Sequence, residues 1–168
     1  RDLKNVYEGQ FDKLVSIEMI EAVGWKFYNT FFSHCAALLK PDGIALIQAI
    51  TITDQRYDQA RKDVDFIQRY IFPGSCIPSV TALVNASTDA SDLNLVQAQD
   101  FGLHYARTLK AWQDTFNSKS EEISELGYSE DFKRMWQFYL SYCEGGFAER
   151  SIGVNHLVFA KPRALMAY

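Results

Sequence analysis

The run Ile44-Ala-Leu-Ile-Gln-Ala-Ile50 constrains the fold more than any other stretch of this chain. It is too short for an ordinary helix and nearly unbroken in its apolar character. It therefore predicts a strand buried on both faces, as in a parallel sheet. A parallel neighbour needs a crossover, and the preceding residues supply one. Trp25, Tyr28, Phe32, Cys35 and Leu39 recur at steps of three and four, the period of one helix face. That helix is expected to stop at Lys40-Pro41-Asp42-Gly43, a breaker and turn signal. An earlier strand over Phe11 to Ile20 completes a βαβ unit. Its apolar residues Leu14, Val15, Ile17, Met19 and Ile20 read as core.

The strand ends carry the polar groups. Glu18 and Glu21 fall where the first strand runs into a loop. In open α/β sheets, ligands bind just beyond the carboxyl ends of the strands, so the active site is expected at Glu21. Gln48 is the single amide in its run. A core glutamine satisfied by backbone and a site residue both fit that pattern. Its spacing from Glu21 matches one residue at the end of each adjacent strand, which favours a shared site.

Further along, Tyr57, Ala60, Val64, Ile67 and Ile71 mark a helix over Asp54 to Ile71. Phe72-Pro73-Gly74-Ser-Cys-Ile-Pro-Ser79 forces a turn, and Ser79 is placed to cap a helix through Val84. A loop this apolar and restrained suits the wall of a pocket. Leu93 to Ala98 reads as a strand. Tyr105, Leu109, Trp112 and Phe116 then share a helical face. Tyr105 sits near that helix's start, where its hydroxyl either enters the cleft or belongs to an amphipathic core tyrosine. After a short charged element over Ser120 to Gly127, Ser129 caps a last helix with Glu130 and Asp131 in its first turn. Phe132, Met135, Trp136, Tyr139, Leu140 and Cys143 form its apolar stripe. Glu144-Gly145-Gly146-Phe147 is expected to end it. The glycine pair lacks the preceding strand and the spacing of a dinucleotide loop. Val154 to Ala160 is the last strand.

Composition excludes several classes. The net charge of -4, without a Lys/Arg-rich run, argues against nucleic acid as a partner. Three cysteines without C-x-x-C spacing point away from a disulfide framework and toward a reducing, cytoplasmic setting. His34 and Cys35 lack the partners of a metal site, and no metal is expected. No apolar run approaches the ~20 residues that span a bilayer. The 168 residues suffice for a single domain with a real core.

Several segments together resemble the cyclopropane-fatty-acyl-phospholipid synthase family, methyltransferases that use S-adenosylmethionine on unsaturated acyl chains. They are Phe11-Asp-Lys-Leu-Val-Ser-Ile-Glu-Met-Ile-Glu-Ala-Val-Gly24, Leu39-Lys-Pro-Asp-Gly43 and Tyr70-Ile-Phe-Pro-Gly-Ser-Cys-Ile-Pro-Ser79. Phe101-Gly-Leu-His-Tyr-Ala-Arg-Thr-Leu109, Phe132-Lys-Arg-Met-Trp136 and Tyr142-Cys-Glu-Gly-Gly-Phe147 continue the match. Lys-Pro-Asp-Gly is common to many methyltransferases. The Phe-Pro-Gly-x-x-x-Pro-Ser and Phe-Gly-x-x-Tyr segments are far more specific.

The resemblance implies an α/β fold: the C-terminal half of a doubly wound, Rossmann-like methyltransferase sheet with an α-helical insert. Residues 1–168 are then one partial domain, whose first strands and glycine-rich cofactor loop would precede Arg1. On that expectation the chain alone is inactive and binds S-adenosylmethionine weakly. Arg1 and Asp2 match a segment near the adenine. In the family a bound bicarbonate ion is the base, and its holders map onto Glu21, Gln48, the backbone of Ile50, and Tyr105. Gln48 departs from the histidine found in many bacterial members. An amide still donates a hydrogen bond there, but it does not titrate near neutral pH. Cys143 matches a cysteine often given a nucleophile's role, although a carbocation mechanism needs no thiolate and its helical stripe explains its burial.

Phe72, Pro73 and Gly74 would contact the acyl chain of an unsaturated phospholipid, met at a membrane surface by a protein peripheral to it. A half sheet with an exposed edge also leaves a homodimer open. Two competing readings are a non-catalytic module that binds acyl chains or self-assembles, and a related methyltransferase acting on a soluble small molecule.

Overall fold

The computed structural model describes residues 8–165. Its contacts resolve two compact units, one formed by Phe101–Gly153 and the other by the rest of the described chain.

The larger unit holds a four-stranded sheet. Strand β1 (Phe11–Ile17) leads through a short helix α1 (Ile20–Val23) and a 3-10 turn (Trp25–Phe27) into α2 (Tyr28–Leu38). Strand β2 (Leu39–Ile52) follows, then α3 (Asp54–Ala60), a π-helical turn (Ile67–Ile71), α4 (Val80–Ala90) and β3 (Asn94–Asp100). Strand β4 (Ile152–Ala160) closes the sheet in the order β1-β2-β4-β3. β1 and β2 are parallel, as the predicted crossover requires, whereas β3 and β4 are antiparallel.

Alternate residues of β2 decide the layering. Ala45, Ile47 and Ala49 are buried and join one core with Ile20, Tyr28, Phe32, Leu83, Leu157 and Phe159. That core is the sheet face under α2 and α4. The even-numbered residues Ile44, Leu46, Gln48 and Ile50 are half-buried, so the expected equal burial of both faces is replaced by one dry face and one partly open face. Gln48 and Ile50 lie on the open one. Ser79 caps α4 by accepting from the Ala82 amide at 3.2 Å, and the helix continues past Val84 to Ala90.

Three further expectations change. Val15, Ile17 and Met19 are exposed rather than core among the described residues, where β1 stands at one end of the described sheet and Leu14 and Ile20 join the core that includes α2. The helix expected over Asp54 to Ile71 is two short pieces, and Val64 between them is 72% exposed. The Lys40–Gly43 turn lies within β2 as a bulge, since Phe11 pairs with Leu39 but Lys13 pairs with Ile44. Opposite the bulge, Asp12 accepts from Lys40 Nζ at 2.7 Å. The backbone fits tightly at Gly43, where a Cβ would meet the Leu39 side chain at 3.0 Å and the Lys40 carbonyl at 3.1 Å.

The smaller unit contains α5 (Gly102–Ser118), α6 (Ser120–Glu125) and α7 (Glu130–Ala148). α5 and α7 pack along their length through stripes that include Leu109 and Leu140. Ser129 caps α7 through the Phe132 amide at 3.2 Å, and Glu130 pairs with the buried Lys133. Lys133 also donates to Ser124 Oγ at 2.8 Å, which ties α6 to α7. The Gly145-Gly146 pair does not end α7. The helix runs on to Ala148 through an exposed Gly145 and a Gly146 at which an added Cβ would come within 3.1 Å of the Ile152 side chain. Trp112 lies half-exposed on α5 and is not part of a core. Among the described residues, no helix is long and apolar enough to cross a membrane.

Candidate active site

Glu18 is the pivot of the site. β1 ends at Ile17, and Glu18 takes φ +47°, the left-handed region that disfavours side chains other than glycine, Asn and Asp. This turn sends the chain away from the sheet and into α1. Its backbone N–H still donates to the Gln48 carbonyl at 2.9 Å, so the strand pairing holds through the bend. Gly24, at φ +84°, makes the second bend, between α1 and the 3-10 turn.

This path brings Glu18, Glu21, Gln48 and Ile50 together at the carboxyl ends of the two parallel strands. Gln48 Nε2 donates to Glu18 Oε1 at 2.8 Å. On β4, His156 Nε2 lies 2.8 Å from Gln48 Oε1. An amide oxygen only accepts, so the imidazole proton is on Nε2. The three side chains form a directed chain from His156 through Gln48 to Glu18. It fixes which end of the amide faces the carboxylates and leaves a second Nε2–H to serve a ligand.

Glu21 is held separately. The Ile50 backbone N–H donates to Glu21 Oε1 at 2.6 Å. Glu21 Oε2 is buried and has no hydrogen-bond partner among the described residues. Burial pushes the Glu21 carboxyl above its ordinary value, and the nearby Glu18 charge adds to that. The Glu21 and Ile50 backbone bonds oppose the rise.

The Phe72–Gly74 loop is tied to this carboxylate through its backbone. Cys76 N–H donates to the Glu21 carbonyl at 2.8 Å, and the Tyr28 hydroxyl donates to the Cys76 carbonyl at 3.0 Å. Burial raises the Tyr28 phenol, so it remains a donor. Burial also pushes up the Cys76 thiol and takes Cys35 to about 12, which leaves both as poor nucleophiles.

Tyr105 and Cys143 belong to the smaller unit. The Tyr105 ring packs on Phe147 with centroids 4.8 Å apart and meets Trp112 edge-on at 6.2 Å. Cys143 is half-buried on the α7 stripe. Arg1 and Asp2 lie outside the described residues.

The sequence reading missed His156 and left Glu18 without a role. Glu18 was conspicuous beside Glu21, but its bend is a backbone property. His156 sits in a strand with ordinary alternation and has no motif around it.

Residues 1–157 match the sequence model of the family described as mycolic acid cyclopropane synthetase. The chain belongs to that family. Among family relatives, tuberculostearic acid methyltransferase UfaA1 of Mycobacterium tuberculosis is 40% identical over 140 residues, covering 83% of this chain and 33% of that protein. The cyclopropane-fatty-acyl-phospholipid synthase of Escherichia coli is 39% identical over 162 residues, covering 96% of this chain and 39% of that protein. This family member thus spans well under half of either relative.

Cyclopropane synthase MmaA2 of Mycobacterium tuberculosis superposes with a TM-score of 0.81 at 26% identity, over 94% of this chain and 58% of that one. Mycolic acid cyclopropane synthase CmaA1, solved with SAH and CTAB, gives the same values. The α/β fold is therefore that of the cyclopropane-synthase methyltransferases.

Proposed function

We propose that this chain is the base-clamping and acyl-handling portion of a cyclopropane-fatty-acyl-phospholipid synthase. That enzyme would transfer a methylene or methyl group from S-adenosylmethionine to the double bond of an unsaturated phospholipid acyl chain. The observation that carries this reading is the clamp at the strand ends: a buried, unpartnered Glu21 oxygen beside an amide locked in a donor orientation. Membership of the family and the relatives' names support the reaction class.

The chemistry sets what the residues must do. An alkene is a weak nucleophile, so its π electrons must be held close to the sulfonium methyl in a dry pocket. Transfer would form the new C–C bond with the C–S electron pair left on sulfur and a carbocation on the chain. Loss of a proton from the transferred methyl would then let its C–H electrons close the ring. S-adenosylmethionine, when bound, supplies the electrophilic methyl, and bicarbonate, when bound, supplies the base.

The clamp suits a bicarbonate-like ion, which is both a donor and an acceptor. On this reading Glu21 Oε2 would accept its hydroxyl, and the second Nε2–H of Gln48 would donate to its oxygen. The raised Glu21 carboxyl favours sharing a proton with a second anion. Ile50 acts by holding Glu21 in place. Tyr105 is a further holder by resemblance, and Phe72, Pro73 and Gly74 are candidates for acyl contact.

The test is transfer of labelled methyl from S-adenosylmethionine into unsaturated phospholipid by the full-length protein, with products separated by mass. Mass gain of one methylene, lost on bicarbonate depletion and restored by adding it back, is the expected result. Label appearing only on a soluble small molecule would point to the competing methyltransferase reading instead.

A further inference from the structure

We propose that the face formed by Trp25–Phe27 and 61–64 docks on an anionic phospholipid surface. This inference rests on the lipid-directed reading above and supplies the surface by which the protein reaches its substrate.

A groove of about 300 Å³ runs between these two segments and ends on Gly74, Ser75 and Cys76. Its rim exposes three large apolar side chains: Trp25 at 40%, Phe27 at 58% and Val64 at 72%. Single exposed apolar residues are ordinary. Several around one groove mark an interaction site.

The charges on this face run against those of the whole chain. The chain carries -4, yet the groove is lined by Lys26, Arg61 and Lys62 against one carboxylate, Asp63. Asp63 is itself engaged, accepting from Gln59 at 2.6 Å. Lys26 Nζ lies 5.5 Å from the Trp25 ring centre, and the Arg61 guanidinium lies 5.0 Å from the same ring and 5.8 Å from Tyr57. Arg61 gives one nitrogen to Asp58 at 3.0 Å, while its Nε is buried without a hydrogen-bond partner.

Tryptophan beside lysines and exposed phenylalanine and valine side chains is the chemistry of a bilayer interface. The rings sit at headgroup depth and the cations meet lipid phosphates. A second copy of this chain fits poorly, because a two-fold contact would set these cations against themselves. The groove also lies beside the proposed site, since Cys76 on its wall bonds the Glu21 backbone carbonyl. A headgroup held here would leave its acyl chain near the clamp.

Flotation of the purified protein with vesicles tests this. Binding is expected to phosphatidylcholine vesicles doped with phosphatidylglycerol, weakening as salt rises, and far less to phosphatidylcholine alone. Lys26→Glu with Lys62→Glu should weaken binding about tenfold or more, and the milder Lys26→Gln with Lys62→Gln should weaken it less. Phe27→Ser should lower affinity while leaving the salt dependence. Wild-type binding by the charge-reversed variant overturns the proposal. So does equal binding to both vesicle types, or displacement by millimolar inorganic phosphate at fixed ionic strength, which would make this a soluble-anion site.

The two readings fail separately. Vesicle binding without turnover on any lipid removes the proposed reaction alone. Turnover on detergent-dispersed lipid, kept by a variant that no longer floats, confirms that docking is distinct from chemistry.

Discussion

Gln48 donates through Nε2 to Glu18 Oε1 over 2.8 Å, and it reaches a glutamate whose backbone stands at φ +47°. The strained turn and the hydrogen bond belong to the same residue. A side chain other than glycine at this conformation costs about 1–2 kcal/mol. Here the cost accompanies a carboxylate that orients the amide beside Glu21.

Glu18→Gly should therefore separate stability from function. The variant is expected to unfold at equal or higher denaturant, because the backbone strain is relieved. Transfer activity is expected to fall, because the amide loses its acceptor. A variant that is both less stable and fully active would contradict the orienting role.

His156 should act through Gln48. His156→Phe removes the donor that fixes the amide oxygen, and the expected result is a lower kcat with little change in KM for the lipid. His156→Gln, which can still donate from an amide nitrogen, should recover part of the loss. Equal damage from both variants would make His156 a packing residue only.

Glu21 gives a pH test with a definite sign. Its folded-state carboxyl is raised above the ordinary 4.5, so ionising it costs more in the folded chain than in the unfolded one. Its contribution to stability is full below that value and is lost as pH rises through the raised one. Glu21→Gln lacks this loss. The Tm of the variant relative to wild type should thus increase as pH rises from the ordinary carboxylate value through the raised one, while activity drops about 10²-fold or more. A pH-independent difference in Tm would refute the burial argument.

A buried polar link between β2 and β4 should matter to stability alone. Asn155 Nδ2 donates to Thr51 Oγ1 at 2.8 Å, with Asn155 9% and Thr51 4% exposed. Asn155→Ala leaves the threonine hydroxyl without this partner and should cost about 1–3 kcal/mol by urea denaturation. A change within error would mean that water replaces the amide.

Much of this arrangement was legible because periodicity reports burial directly. The parallel β1–α2–β2 unit, the Ser79 and Ser129 caps and the α7 stripe all follow from local pattern. Glu21 and Gln48 were placed together because strand ends in a βαβ unit meet, whereas Ile50 was named only through the family resemblance. Exposure of Val15 and Ile17 was not legible, since an apolar run does not tell whether its strand stands at the end of the described sheet. The break at Val64 was hidden for a similar reason: helical spacing persists across a segment whose backbone leaves the helix. Glu18 and His156 escaped because their roles depend on one left-handed residue and on a contact across 108 positions.

Cys76 has both peptide groups engaged, its N–H on the Glu21 carbonyl and its carbonyl under the Tyr28 hydroxyl. Just before it, Gln68 Nε2 donates to the Ser75 carbonyl at 2.8 Å. The loop is thus pinned along one side, and its compliance is confined to the tip at Pro73 and Gly74. On the proposed reading, an acyl chain entering here would widen the wall only at that tip. The Cys76 amide should exchange its hydrogen slowly for a loop position, and the Gly74 amide quickly. The wall is thus expected to open from its rim while the Glu21 backbone that anchors it stays fixed.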